Sequence, residues 1–155
     1  MTPTAALPAI VKEITINARA ERVFDAFVDP DARMRWFGAK GRFRMLSCAS
    51  DLRVGGAWEF RGESGDGTQH HSFGEYVEID RPRLVAFTWK KHEWGPEQET
   101  LVRVELTERN GVTTLKLTHS GFVTTEDHED HDEGWTLVLG WMGEYAETGR
   151  TAADR

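Results

Sequence analysis

The chain has 155 residues, 39% hydrophobic and 29% charged, with a formal net charge of −7. That size and balance suit one globular unit over residues 1–155, with its core at about residues 10–148; the order of its elements, antiparallel strands bracketed by helices, makes it α+β. Scattered Lys and Arg in an acidic chain exclude a nucleic-acid partner, because a phosphate backbone needs concentrated positive charge. The densest basic group (Arg33, Arg35, Lys40, Arg42, Arg44) is interrupted by aromatics and reads as a solvated face.

A single cysteine, Cys48, forbids an intrachain disulfide and fits a reducing compartment. The N-terminus MTPTAALPAIVKE lacks the pattern of a secretion signal, and no apolar run is long enough for a bilayer. A cytoplasmic protein with no membrane partner is therefore expected. The aromatic content is unusual in kind: six Trp and eight Phe stand against two Tyr. Such rings supply large apolar surfaces with few hydrogen-bonding demands.

In chain order, IVKEITI at residues 10–16 alternates as a strand, with Ile14 and Ile16 on one face. ARAERVFDAFVDP follows, with Val23, Phe24 and Phe27 at helical spacing. Asp29 is a good N-cap, Pro30 suits the first helical position and Gly38 the residue past the end. A short second helix over residues 29–38 then presents Met34, Trp36 and Phe37.

From residue 42 the period becomes two. RFRMLSCAS predicts a strand, and AWEFRGE another with Trp58 and Phe60 on one face; Gly55-Gly56 turns between them, and SGDGTQ is a loop. HHSFGEYVEI is read with Phe73, Glu75, Val77 and Ile79 on its inner side. LVAFTWKK sends Val85, Phe87 and Trp89 inward, LVRVELTE does so with Val102, Val104 and Leu106, and VTTLKLTHS with Leu115, Leu117 and His119. Asn110-Gly111 between the last two is a strong hairpin signal. A final helix starts near Thr124, whose spacing to Asp127 fits a capping box, and its acidic first turns suit the positive end of the helix dipole.

That final helix has an odd surface. At about 100° per residue, Trp135, Leu137, Val138, Leu139, Trp141, Met142, Tyr145 and Ala146 cover an arc of roughly 200°, twice the usual stripe. A flat sheet cannot cover so much of a cylinder. A sheet of six to seven antiparallel strands can, if it curls, and Gly56, Gly62 and Gly74 would permit the bends. Large stiff rings fill such a bowl badly. An apolar cavity between helix and sheet is expected, walled by Trp36, Phe37, Trp58, Phe60, Phe73, Trp89, Phe122, Trp135, Leu139 and Met142.

The stretches INARAERVFDAFVDPDARMRWFG, DLRVGGAWEF, FGEYVEIDRPRLVAFTW, LTHSGF and GWTLVLGWMGEY, in this order and spacing, resemble the START-like (SRPBCC) helix-grip superfamily. Within it they are similar to the branch named after the activator of the ninety-kilodalton heat-shock protein ATPase. The resemblance implies a curved antiparallel sheet wrapped around a long C-terminal helix, with two short helices after the first strand. It also implies a cavity under that helix for an apolar or amphipathic small molecule. The superfamily holds lipid carriers, hormone sensors, polyketide cyclases and co-chaperone domains, so fold alone does not choose among them.

Three readings of function follow. The first is a small-molecule binding protein, more a binder than an enzyme, needing no cofactor, with Glu75 and His119 orienting the ligand in the aromatic cavity. The second, resting on the branch resemblance, is a co-chaperone-like activator whose partner is a heat-shock chaperone. The third is a cyclase- or dehydratase-like enzyme in which His119 and Glu75 form an acid/base pair. In EDHEDHDE, His128, His131, Asp127 and Asp132 have metal-compatible helical spacing, but a solvated helix start explains them as well, and no metal is assigned. Cys48 reads as a small core residue. An exposed sheet edge or Trp94 would offer a second copy a contact, so a homodimer stays open.

Overall fold

In chain order the computed structural model, which describes residues 7–154, runs β1 (Ile10–Ile16), α1 (Ala20–Val28), α2 (Pro30–Trp36), β2 (Gly38–Ala39), β3 (Phe43–Ser50) and β4 (Ala57–Ser64). It continues with β5 (Gln69–Asp80), β6 (Leu84–Lys91), β7 (Thr100–Arg109), β8 (Val112–Ser120) and α3 (Thr125–Thr148). The strands form one antiparallel sheet in the order β1-β8-β7-β6-β5-β4-β3-β2. From β2 to β8 each strand lies beside its sequence neighbour, and β1 returns to pair with β8, Ile10 opposite His119. The sheet curls into a half-barrel around α3, as the width of that helix's apolar arc requires.

Sequence chemistry sets the ends of the elements. The Asp29 side chain accepts from the Asp31 N–H at 3.1 Å and Pro30 opens α2. Thr124 Oγ1 accepts from the Asp127 N–H at 3.1 Å, and α3 ends at Gly149 in the left-handed region. Asn110 (φ 54) and Gly111 (φ 80) make the left-handed turn that returns β7 into β8, the conformation that Asn-Gly favours. Alternation then fills the bowl: Val85, Phe87 and Trp89 of β6, Val102, Val104 and Leu106 of β7, and Leu115, Leu117 and His119 of β8 are all buried. Against them lie Val23, Phe24 and Phe27 of α1, Trp36 of α2, and Trp135, Leu139 and Met142 of α3.

Four expectations are corrected. An eighth strand, β2, occupies the two residues after α2, where Gly38 was expected only to end a helix. Arg33 does not belong to a solvated face: it is buried, its Nε donating to the Phe27 carbonyl at 2.5 Å with the guanidinium over the Phe27 ring. Met34, presented by α2 together with Trp36 and Phe37 in the sequence reading, is exposed while Trp36 is buried. The phase of β5 is opposite to the sequence reading, because Ser72 and Tyr76 are buried while Val77 and Glu75 are exposed and Phe73 is half-buried. A register shift between Tyr76 and Glu78 breaks the alternation there. Hydrophobicity misleads in this strand because its apolar Phe and Val lie outward while a tyrosine, its hydroxyl 2.5 Å from Ser50 Oγ, lies inward.

Candidate functional site

Helix α3 buries one stripe, Trp135, Val138, Leu139, Met142 and Ala146, against the bowl. The flank next to that stripe, Gly134, Leu137 and Trp141, is only half-buried. It forms one wall of a cleft of about 430 Å³ whose opposite wall comes from β3, β4, β5 and β6. That volume lies within the range of small-molecule sites, about 300–1,000 Å³. The wide apolar arc thus splits into a sealed part and a part that faces the cleft, which opens to solvent along this side.

The apolar wall is built from rings. Phe37, at the C-cap of α2, lies 5.4 Å from Phe43, 5.2 Å from Phe60 and 6.2 Å from Trp141 between ring centroids. Phe60 in turn lies 5.8 Å from Trp89, and Trp89 5.4 Å from Trp135. These separations are those at which aromatic pairs attract. Gly62 makes room for this wall, since a Cβ there would meet the Phe43 ring at 2.1 Å. Polar groups edge the opening: Arg42, Asp66 and Lys91 on the sheet side, Asp130 and Glu133 on the helix side, with Ser64 and His70 further along the wall. Lys91 is held by Glu93 at 2.9 Å. The combination of an apolar wall and a charged rim suits an amphipathic molecule.

At one end the space is closed by a chain of hydrogen bonds. The Trp135 indole N–H donates to His119 Nδ1 at 2.9 Å. The Thr100 hydroxyl donates to the Trp89 carbonyl at 2.8 Å, so its oxygen accepts from His119 Nε2–H at 2.7 Å. The Trp89 indole N–H donates to His131 Nε2 at 3.2 Å, and His131 Nδ1–H donates to the Asp127 carbonyl at 2.8 Å. Each proton has one acceptor, and helix and sheet are tied together where buried polar groups would otherwise be costly. Burial, reinforced by His131 and His128, pushes the His119 imidazole down to about 2. Burial likewise holds His131 below its ordinary value, against the opposing pull of the Asp127 carbonyl. Both rings are therefore neutral at pH 7.

The sequence-derived residues fall into three groups. Phe37, Phe60, Trp89 and Trp135 line the cleft. Trp36, Trp58, Phe122, His119, Leu139 and Met142 are buried packing residues, with the Trp36 indole spent on the Ala26 carbonyl at 2.6 Å and that of Trp58 on the Thr88 carbonyl at 3.1 Å. Phe73 and Glu75 are corrected: they edge a separate hollow of about 840 Å³ on the other face of the sheet, with Glu59, Val77 and Lys90. This follows from the inverted phase of β5. His119 and Glu75 consequently lie on opposite faces and do not form an acid/base pair, and neither ring nitrogen of His119 is free to act.

The histidines of the acidic tract are also occupied. His128 Nε2–H donates to the Pro8 carbonyl at 3.0 Å, Asp132 pairs with Lys12 at 3.0 Å, and Asp127 accepts from Thr124 Oγ1 at 2.9 Å. Among the described residues no His/Cys/Asp/Glu group is arranged to hold a metal ion. Trp94 is half-buried, packed on Phe122 and His131, and is not the outward aromatic expected for a dimer contact. Sequence reasoning missed Phe43, Ser64, His70, Leu137 and Trp141 as site residues. The signal for Leu137 and Trp141 was the excess width of the α3 arc; the pair beside the β4–β5 turn carried none.

Taken together, a curled sheet gripping a terminal helix with an aromatic cleft along one flank defines a helix-grip protein. The chain belongs to the family described as Activator of Hsp90 ATPase homolog 1-like protein, whose sequence model matches residues 17–147. No curated protein matches the chain in sequence. Among solved structures, it is similar to protein CV1439 from Chromobacterium violaceum, with a TM-score of 0.75 and 24% identity over 90% of this chain and 96% of the other. The AHSA1-like protein from Aeromonas hydrophila gives a TM-score of 0.74 at 23% identity, over 91% of this chain and 93% of that one. DynU16, a protein in the dynemicin biosynthetic locus, gives 0.72 at 22% identity, with 94% of this chain covering 49% of it. At these identities the likeness is one of fold. Among the described residues no helix is long and apolar enough to cross a membrane.

Proposed function

We propose that this protein binds an amphipathic small molecule in the cleft beside α3. The observation that carries this reading is the split apolar arc of the helix: Leu137 and Trp141, only half-buried, border a ligand-sized space whose other wall includes Phe37, Phe43 and Phe60. The apolar body of the ligand lies between these rings. Its polar end points to the rim of Arg42, Lys91, Asp130 and Glu133. Family membership and the likeness to DynU16 are compatible with a ligand-binding role.

The test is a thermal-shift and tryptophan-fluorescence screen against fatty acids, steroids and aromatic polyketides. Binding is expected to raise the melting temperature and to perturb the Trp89, Trp135 and Trp141 emission, because all three line the cleft. A panel with no saturable change in either signal rejects the reading.

The family description motivates a second reading, activation of a heat-shock chaperone ATPase. Its assay is ATP turnover by the host chaperone with and without this protein. Stimulation unaffected by Trp141→Ala would assign the activity to a surface other than the cleft, and no stimulation rejects this reading.

A further inference from the structure

The Ser64 hydroxyl and His70 face each other across the β4–β5 turn with Ser64 Oγ 2.5 Å from His70 Nε2, and both line the cleft. The turn does not depend on this contact. It is already closed by the backbone, Ser64 N–H donating to the Thr68 carbonyl and Gly67 N–H to the Ser64 carbonyl, each at 2.9 Å. A hydroxyl in hydrogen-bond reach of an imidazole, beside an apolar wall, is the arrangement in which a serine gains nucleophilicity. Burial and the neighbouring Lys91 hold His70 below its ordinary value, so the ring is neutral and able to accept a proton at pH 7.

We propose that Ser64 is a nucleophile, activated by His70, that takes the acyl group of an apolar ester bound in the cleft; this rests on the cleft being a ligand site. The bond from Ser64 Oγ to the acyl carbon forms as the bond from that carbon to the leaving oxygen breaks. The serine proton passes to His70 Nε2 and then to the departing alkoxide. In the second half a water attacks the acyl-serine, gives a proton to His70, and the proton returns to Ser64 Oγ as the acid leaves. Of the two cations on the same cleft, Lys91 is paired with Glu93, which leaves Arg42 to the developing oxyanion.

The experiment treats the protein with a fluorophosphonate and, separately, with para-nitrophenyl butyrate, in the wild type, Ser64→Ala and His70→Gln. Circular dichroism and melting curves establish that each variant is folded. Anilinonaphthalene sulfonate binding reports the cleft independently. A phosphonate adduct mapped to Ser64, absent in Ser64→Ala and formed about a hundredfold more slowly in His70→Gln, is the expected result. Dye binding without an adduct at Ser64 overturns the acyl step alone and leaves the binding site standing. Labelling equally fast in folded His70→Gln overturns the activation by histidine. Absence of both dye binding and adduct overturns the two proposals together.

Discussion

The two flanks of α3 meet the same sheet and behave differently. Toward Leu139 and Met142 the space is filled, and at Trp135, on the border of the cleft, the polar atoms are consumed in the chain through His119, Thr100, Trp89 and His131. Toward Leu137 and Trp141 the side chains are only half-buried and border a cleft of about 430 Å³. Space closes where side chains interlock and each donor finds an acceptor. It stays open where rigid rings held by α2, β3 and the helix cannot fill the remaining volume.

This contrast can be broken by substitution. Leu139→Ala, on the sealed flank, is expected to cost about 2–5 kcal/mol, read from urea unfolding at unchanged m-value. Leu137→Ala, on the cleft flank, is expected to cost less than about 1 kcal/mol. Equal losses would mean that the cleft flank is packed as tightly as the other.

The next effect is a pH dependence of the sealed end. An unfolded histidine titrates near 6.5, whereas His119 in the fold does so at about 2. Between these values the unfolded chain binds the extra proton, so the stability present above pH 6.5 declines as pH falls toward 2. Full difference in occupancy gives a slope of about 1.4 kcal/mol per pH unit. His119→Gln is expected to lower stability at pH 7 by about 1–3 kcal/mol through its disturbed partners. Between pH 6 and pH 5 the same variant should lose about 1 kcal/mol less than the wild type. An unchanged slope in paired urea titrations at those two pH values would show that His119 is not held neutral.

On the open side, Trp141→Ala is expected to weaken a bound aromatic probe about tenfold, equivalent to about 1.4 kcal/mol of lost ring contact, measured by fluorescence titration. Smallest of all, Glu75→Ala should change stability by no more than about 0.5 kcal/mol. It should leave cleft binding untouched, since Glu75 belongs to the other face of the sheet.

Much of the fold was legible in the sequence because local chemistry and tertiary position agree. Asp29 and Thr124 cap the helices they precede, Asn110-Gly111 turns a hairpin, and the alternation in β6, β7 and β8 marks the buried face. The curl of the sheet followed from the arc of α3. The site was half legible. Phe37, Phe60, Trp89 and Trp135 were named, but β5 was read in the wrong phase, since its outward Phe73 and Val77 outweigh Ser72 and Tyr76 on any hydrophobicity scale. The close approach of Gly74 to the Thr88 carbonyl, where a Cβ would come within 1.9 Å, gave no sequence signal beyond the glycine itself. Ser64 and His70 flank a polar turn, and only the register of β4 on β5, with Gly62 opposite His70, brings them together.

The most direct test uses two glycines of α3. Gly134 lines the cleft and Gly140 does not, and a side chain at either position meets no heavy atom within 4 Å of its Cβ. Replacing each by Gln should stabilise the helix by as much as about 1 kcal/mol. Gly134→Gln is expected to abolish saturable binding of anilinonaphthalene sulfonate while raising the melting temperature, and Gly140→Gln to raise it with binding intact. Full binding retained by a folded, stabilised Gly134→Gln would contradict a ligand site beside this helix.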